Sequence, residues 1–185
     1  MNNKEKFNRY AEMLRDWSTR MNLVAPSTLG DIEKRHFADS AQLADVLPSG
    51  AHVIDLGSGA GFPGVVLAIL GWQVVCIESI GKKVAFLTAV KEALKLNNLT
   101  IYHGRVENYV SALPQDEKIV FTARAFAPLI KILDYVAKTK KPLFLLKGRE
   151  ISAEIETAHK KYKFDYNLVP SKTGDGNIII IKKYR

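Results

Sequence analysis

The 185 residues predict an α/β fold, a mostly parallel, seven-stranded sheet with an N-terminal helical extension and a C-terminal antiparallel hairpin. Three observations carry this expectation. From residue 52 onward, short apolar runs of strand length alternate with stretches of helical periodicity, the pattern of β-α-β units around a sheet buried on both faces. A glycine-rich turn directly follows the first of those runs. Two helical segments precede any strand, and two strand-like runs flank a glycine-containing turn near the end of the chain.

The elements can be justified in order. Phe7, Tyr10, Ala11, Leu14, Trp17 and Met21 recur at helical spacing with charges between them, so residues 4–21 form an amphipathic helix. A second helical region covers Leu29 to Leu47 and ends at Pro48-Ser49-Gly50. Residues 1–50 are therefore the extension, and 51–185 the core of the same single domain. The strands are Val53–Leu56, Val74–Ile77, Ile101–Tyr102, Ile119–Phe121 and Leu143–Leu146; residues 62–70, 82–96, 128–138 and 150–162 are the helices between and after them. Tyr166–Val169 and Ile178–Ile181 flank Thr173-Gly174-Asp175-Gly176 as a hairpin that adds antiparallel strands.

Composition narrows the class of protein. A content of 47% hydrophobic residues at this length supports a core without disulfides or metals. The single cysteine, Cys76, sits in the apolar run Val74-Val75-Cys76-Ile77 and reads as a core residue, leaving no disulfide or zinc site within one chain. No stretch approaches the roughly 20 apolar residues needed to span a bilayer, so a soluble, cytoplasmic protein is expected; a monomer is expected because nothing in the sequence suggests an obligate dimer. The net charge of +8 is unevenly spread: residues 138–185 carry twelve basic and five acidic side chains. Such a bias serves solubility or a phosphate-facing surface, and Lys138, Lys140 and Lys141 are candidates for the latter.

The segment Asp55-Leu56-Gly57-Ser58-Gly59-Ala60-Gly61-Phe62-Pro63-Gly64 lies at the carboxyl end of the first strand, where open α/β sheets bind ligands. Part of it satisfies G-x-G-x-x-G, which alone is weak evidence for a dinucleotide. A pyrophosphate would be repelled by Asp55, two residues before Gly57. S-adenosylmethionine presents an ammonium and a sulfonium and favours a carboxylate there. Glu78 ends the next strand, 21 residues beyond Gly57, where it can accept bonds from both ribose hydroxyls. Asp55, Gly57, Gly59 and Glu78 thus point to the methyl donor. Val106 and Glu107 after the third strand can flank an adenine, or can simply open a helix with an acidic first turn.

The fourth strand ends in Thr122-Ala123-Arg124-Ala125-Phe126-Ala127-Pro128. Transfer to an exocyclic amine usually places Asn or Asp with Pro-Pro and an aromatic here, and transfer to pyrimidine carbon needs a thiolate, which a buried Cys76 does not supply. A ring nitrogen such as guanine N7 has a free lone pair and no proton to lose, so it needs in-line positioning and no general base. Arg124 is then a positioning residue, able to bind the donor carboxylate or a guanine edge, or to form a structural salt bridge. A small-molecule or protein methyltransferase and a dinucleotide-binding module remain the other readings.

These residues resemble the bacterial 16S ribosomal RNA guanine-N7 methyltransferases, also called glucose-inhibited division protein B or methyltransferase G of the small-subunit rRNA. The matching pieces are Trp17 with Asn22-Leu23, Arg35-His36 with Asp39-Ser40, the turn from Val53 to Gly64, and Glu78-Ser79 with Lys82-Lys83 and Phe86-Leu87. Arg105-Val106-Glu107, Arg124-Ala125-Phe126-Ala127 and Lys147-Gly148 complete them. The last strand, Asn177–Lys182, departs by lacking the arginine often found before it. The resemblance implies a Rossmann-like class I S-adenosylmethionine-dependent methyltransferase acting on a guanine of the 530-loop in 16S rRNA or the small ribosomal subunit, with no metal. It also implies donor contacts from Gly57, Phe62, Val106, Glu107 and Arg124, and an RNA-facing cleft with Arg35, His36 and Lys147.

Overall fold

The computed structural model describes residues 1–185. Helix α1 (Asn3–Ser18) starts where Asn2 and Glu5 cap one another reciprocally, and it buries Tyr10, Ala11 and Leu14. The expected second helix is instead a succession of turns: a 3-10 turn at Pro26–Asp31, a π-helical turn at Glu33–Ala38, a three-residue helix α2 (Asp39–Ala41) and another 3-10 turn at Gln42–Asp45. Periodicity marked the apolar face of this segment, whereas its hydrogen-bond pattern depends on tertiary partners described below.

The core alternates as the apolar runs require. Strands β1 (His52–Leu56), β2 (Gln73–Glu78), β3 (Leu99–His103), β4 (Ile119–Arg124) and β5 (Leu143–Lys147) are mutually parallel where they pair. Helices α3 (Gly64–Ile69), α4 (Gly81–Leu94), α5 (Val106–Ser111), α6 (Leu129–Val136) and α7 (Ile151–His159) lie between and after them. Strands β6 (Phe164–Pro170) and β7 (Asn177–Tyr184) form the antiparallel hairpin, and β7 inserts beside β5. The sheet order is β3-β2-β1-β4-β5-β7-β6.

Two apolar clusters sandwich the sheet. One joins Tyr10 and Leu14 of α1 with Phe62, Val66, Phe86 and Val90; the other joins Phe121, Leu133, Leu145 and Ile155 with α6 and α7. Burial of whole Leu, Ile, Val and Phe side chains contributes about 1.5–3 kcal/mol each, so the extension that supplies Tyr10 and Leu14 is an integral part of one face. Cys76 is buried in this core, as its apolar neighbours predict.

Sheet polarity decides which loops meet. The carboxyl ends of β1, β2, β3, β4 and β5 share one rim with the β6–β7 loop. The amino ends share the opposite rim, where Lys141 Nζ donates to the Asp116 carbonyl at 2.7 Å and Tyr184 Oη donates to the Lys141 carbonyl at 3.2 Å. Lys138, Lys140 and Lys141, candidates for facing RNA, therefore lie at the end away from the glycine-rich turn, because the α6–β5 connection returns the chain there.

Candidate active site

The glycine-rich turn is held from beneath. Asp55, wholly buried, accepts the Gly64 N–H on Oδ2 at 3.0 Å, and the Cys76 thiol lies 3.9 Å from the same oxygen. Burial raises its carboxyl from 3.8 to about 7, against the lowering effect of bonds from Ser58 and Gly64. A Cβ on Gly64 would come within 2.5 Å of Cys76 Sγ, so glycine is what lets α3 approach the sheet. From the side, Tyr10 Oη of α1 donates to the Ala60 carbonyl at 2.5 Å.

A cleft of about 300 Å³ opens above the ends of β1, β2 and β3. Gly57, Glu78, Ile80, Val106, Glu107 and Phe126 are among its walls. Glu78 accepts the Gly59 N–H on Oε2 and the Ile80 N–H on Oε1, both at 2.9 Å, which fixes its carboxylate. Each oxygen retains a second lone pair for a hydroxyl. Ile80, half exposed, and Val106 supply apolar surface, while Glu107 lies in the first turn of α5. These features fit an adenosine: apolar contact for the base, and a preset carboxylate for the sugar.

Four of the residues expected to meet the donor, Gly57, Glu78, Val106 and Glu107, come together here. Gly59 stands behind them as the donor of a bond to Glu78. Three further residues expected at the donor lie outside this cleft. Asp55 lines neither cleft; its Oδ2 holds the turn from below, while Oδ1 is buried without a hydrogen-bond partner. Phe62 is buried as a platform, its ring 4.8 Å from that of His36 and 4.6 Å from the Arg124 guanidinium carbon. Arg124 lines the neighbouring cleft instead.

That second cleft, about 690 Å³, lies between the end of β4, the Pro26–Ala41 segment and the β6–β7 loop. Arg124 Nη1 donates to the Arg35 carbonyl and to Asp39 Oδ2, both at 3.1 Å, and Nη2 donates to His36 Nδ1 at 2.8 Å. The structural salt bridge left open by the sequence is thus present, as part of a larger clamp. An Nδ1 that accepts from arginine leaves the ring proton on Nε2, which lies 2.8 Å from Thr28 Oγ1. Burial and the Arg124 charge lower the His36 pKa from 6.5 to about 4, so the ring is neutral. Asp39 Oδ1 also accepts from Gln42 Nε2 at 3.0 Å and from Thr173 Oγ1 at 2.9 Å, tying the β6–β7 loop to the same centre.

Arg35 presents an exposed side chain to this cleft, as expected of an RNA contact. Lys147 does not: its side chain is 9% exposed, and Nζ is taken by Glu154 Oε2 and the Ala127 carbonyl, both at 2.7 Å. It braces the loop after β4, because a buried ammonium must be paired. Ile80, Thr28 and Thr173 were missed. An apolar residue two positions after a strand-end carboxylate was a usable signal for Ile80; the threonines offered none, since only the folded chain brings them near His36 and Asp39.

The sheet order, the glycine turn after β1 and the fixed carboxylate after β2 define a class I methyltransferase. The sequence comparisons narrow this. The family described as rRNA small subunit methyltransferase G matches residues 3–177. A Ribosomal RNA small subunit methyltransferase G from Hyphomonas neptunium is 40% identical over 184 residues, covering 96% of this chain and 86% of that protein. Its namesake from Gluconobacter oxydans is 37% identical, covering 95% and 91%. Among solved structures, a SAM dependent methyltransferase from Aquifex aeolicus shares the fold with a TM-score of 0.63 at 16% identity, covering 94% of this chain and 98% of its own. The chain belongs to the rRNA small subunit methyltransferase G family.

Proposed function

We propose that this chain, acting as one catalytic unit and as a cytoplasmic monomer, methylates N7 of a guanine in the 530-loop of 16S rRNA with S-adenosylmethionine as donor. The observation that carries the reading is the meeting of two clefts at the end of β4, one suited to adenosine and the other open enough for a nucleotide. The names of the relatives support an rRNA substrate.

S-adenosylmethionine brings a methyl group already activated on a sulfonium. The protein's work is then to bind, orient and exclude water. Glu78 holds the sugar end, Ile80 and Val106 hold the base, and Arg124 locks the segment bearing Arg35 and His36 over the place where RNA enters. His36 is unsuited to act as a base, since one nitrogen accepts from Arg124, the other carries the proton toward Thr28, and its pKa is low. N7 loses no proton on methylation, so none is required.

Mapping methylated nucleotides in rRNA from cells with and without this protein tests the reading; loss of one 7-methylguanine in the 530-loop is expected, and an unchanged map overturns it. Single-turnover transfer is expected to be nearly flat between about pH 6.5 and 9. A tenfold rise per pH unit across that range would require a base.

A further inference from the structure

A methyl group moving from the smaller cleft to the larger must cross the wall between them. Ala125 and Phe126 are the residues that line both. The Phe126 ring lies directly on Gly57: a Cβ at that glycine would come within 2.1 Å of Phe126 Cδ2. The ring therefore covers the backbone at the start of the glycine turn, on the path by which anything in the smaller cleft presents a reacting group to the larger one. Ala125, just before it, is exposed and holds a φ of 51°, a left-handed conformation that is unfavourable for a residue with a Cβ. Phe126 itself is only partly buried, with the Tyr135 ring 6.0 Å away and tilted. A strained residue beside a partly buried aromatic at the junction of two sites describes a part that can move.

We propose that Phe126 is a movable wall, displaced from Gly57 by the bound donor toward the larger cleft, where its face stacks on the target purine. This rests on the methyltransferase reading above. An aromatic ring offers a purine a flat apolar partner at little entropic cost, and such stacking is sequence-tolerant, leaving base identity to polar neighbours. Displacement by the donor makes the two sites cooperative: the donor prepares the stacking face, and by reciprocity bound RNA strengthens donor binding.

The test uses the full chain with S-adenosylhomocysteine and a small-subunit rRNA fragment. Calorimetry measures donor-product affinity, RNA binding is measured with and without saturating S-adenosylhomocysteine, and labelled methyl transfer gives kcat and KM. In the unaltered protein S-adenosylhomocysteine should tighten RNA binding by about tenfold. Phe126→Ala should bind S-adenosylhomocysteine at least as tightly, lose that tightening, and lose about tenfold or more in kcat/KM for RNA. Phe126→Leu, which keeps most of the bulk without the ring, should behave like the alanine variant for RNA, and Phe126→Tyr should stay within about threefold of the unaltered protein. Weaker S-adenosylhomocysteine binding by a folded Phe126→Ala would make the ring part of the donor's seat and overturn the proposal. So would retained coupling in Phe126→Ala, or full activity in Phe126→Leu. Failure of the unaltered protein to methylate any rRNA would instead defeat the function reading, while the effect of Phe126→Ala on S-adenosylhomocysteine affinity would still decide whether the ring obstructs the donor.

Discussion

At the scale of single residues, Arg124, Asp39 and His36 show how one ion pair, with a neutral imidazole beside it, can organise a cleft. The guanidinium makes three hydrogen bonds that differ in direction, which a planar fork can satisfy and an ammonium cannot. Arg124→Lys should therefore fail to rescue Arg124→Ala; both should lower turnover at least tenfold and stability by about 1–3 kcal/mol, read by methyl transfer and urea denaturation. Two buried groups give opposite pH signatures. His36 has its folded pKa lowered from 6.5 to about 4, so the stability associated with its neutral form is complete above 6.5 and is lost as pH falls toward 4. Asp55 is raised from 3.8 to about 7, so its contribution is complete below 3.8 and is lost as pH rises through 7. Between about pH 4 and 6.5 the two slopes oppose each other. His36→Gln should expose a stability that falls with rising pH in this window, and Asp55→Asn one that rises; denaturation midpoints across the window that move identically in both variants would contradict the assignment.

At the scale of elements, helix α1 and the glycine turn act on one another through Tyr10, whose ring packs on Phe62 and whose hydroxyl bonds the Ala60 carbonyl. Tyr10 is fully buried and donates to the Ala60 carbonyl, in the middle of the turn. Tyr10→Phe keeps the ring packing against Phe37 and Phe62 but leaves that carbonyl without its partner, a cost of about 1–3 kcal/mol. Donor affinity should fall along with thermal stability; calorimetry showing unchanged donor affinity would mean that the turn keeps its shape without α1. The Pro26–Asp45 segment illustrates why helix type escaped the sequence. Its apolar positions Ile32, Phe37 and Leu43 are all buried though spaced five and six apart, wider than an α-helical face, and the Arg35 carbonyl, the His36 ring and the Asp39 carboxylate all serve Arg124 from another element. The widened turn at Glu33–Ala38 is found where those three groups converge.

At the scale of the whole molecule, basic charge is divided between two ends. Arg35, Arg149 and Lys172 belong to loops on the rim with the clefts, while Lys138, Lys140, Lys160, Lys163 and Lys183 lie toward the amino ends of the parallel strands. Arg149 pairs with Asp175 at 3.4 Å with both side chains largely exposed, a contact too solvated to hold it away from a phosphate. Neutralising Arg35 and Arg149 together should raise the KM for RNA and flatten its salt dependence by roughly one to two units of log–log slope, with donor affinity unchanged. Neutralising Lys138 and Lys140 should alter neither. Equal effects from the two pairs would mean that RNA reaches around to the opposite rim.

The sequence by itself determined the α/β alternation, the antiparallel ending, the helical extension, and the pairing of a glycine turn with Glu78. It could do so because strand and helix periodicities are local, and because a turn that seats a ligand against backbone needs glycine at fixed positions. It also carried the family, through motifs spread along the chain. What only the tertiary structure decided was which side chain does which task. Asp55, Phe62 and Lys147, ligand-contact candidates by spacing, are buried and engaged by Gly64, His36 and Glu154, none adjacent in sequence. For Arg124, which the sequence left open between donor carboxylate, guanine edge and salt bridge, the structure shows the salt bridge and a place on the larger cleft, with partners from residues 35–39, some 85 positions away along the chain. Spacing reports which face a residue occupies; hydrogen bonds and charge pairs across distant segments decide whether it meets a ligand or holds the wall.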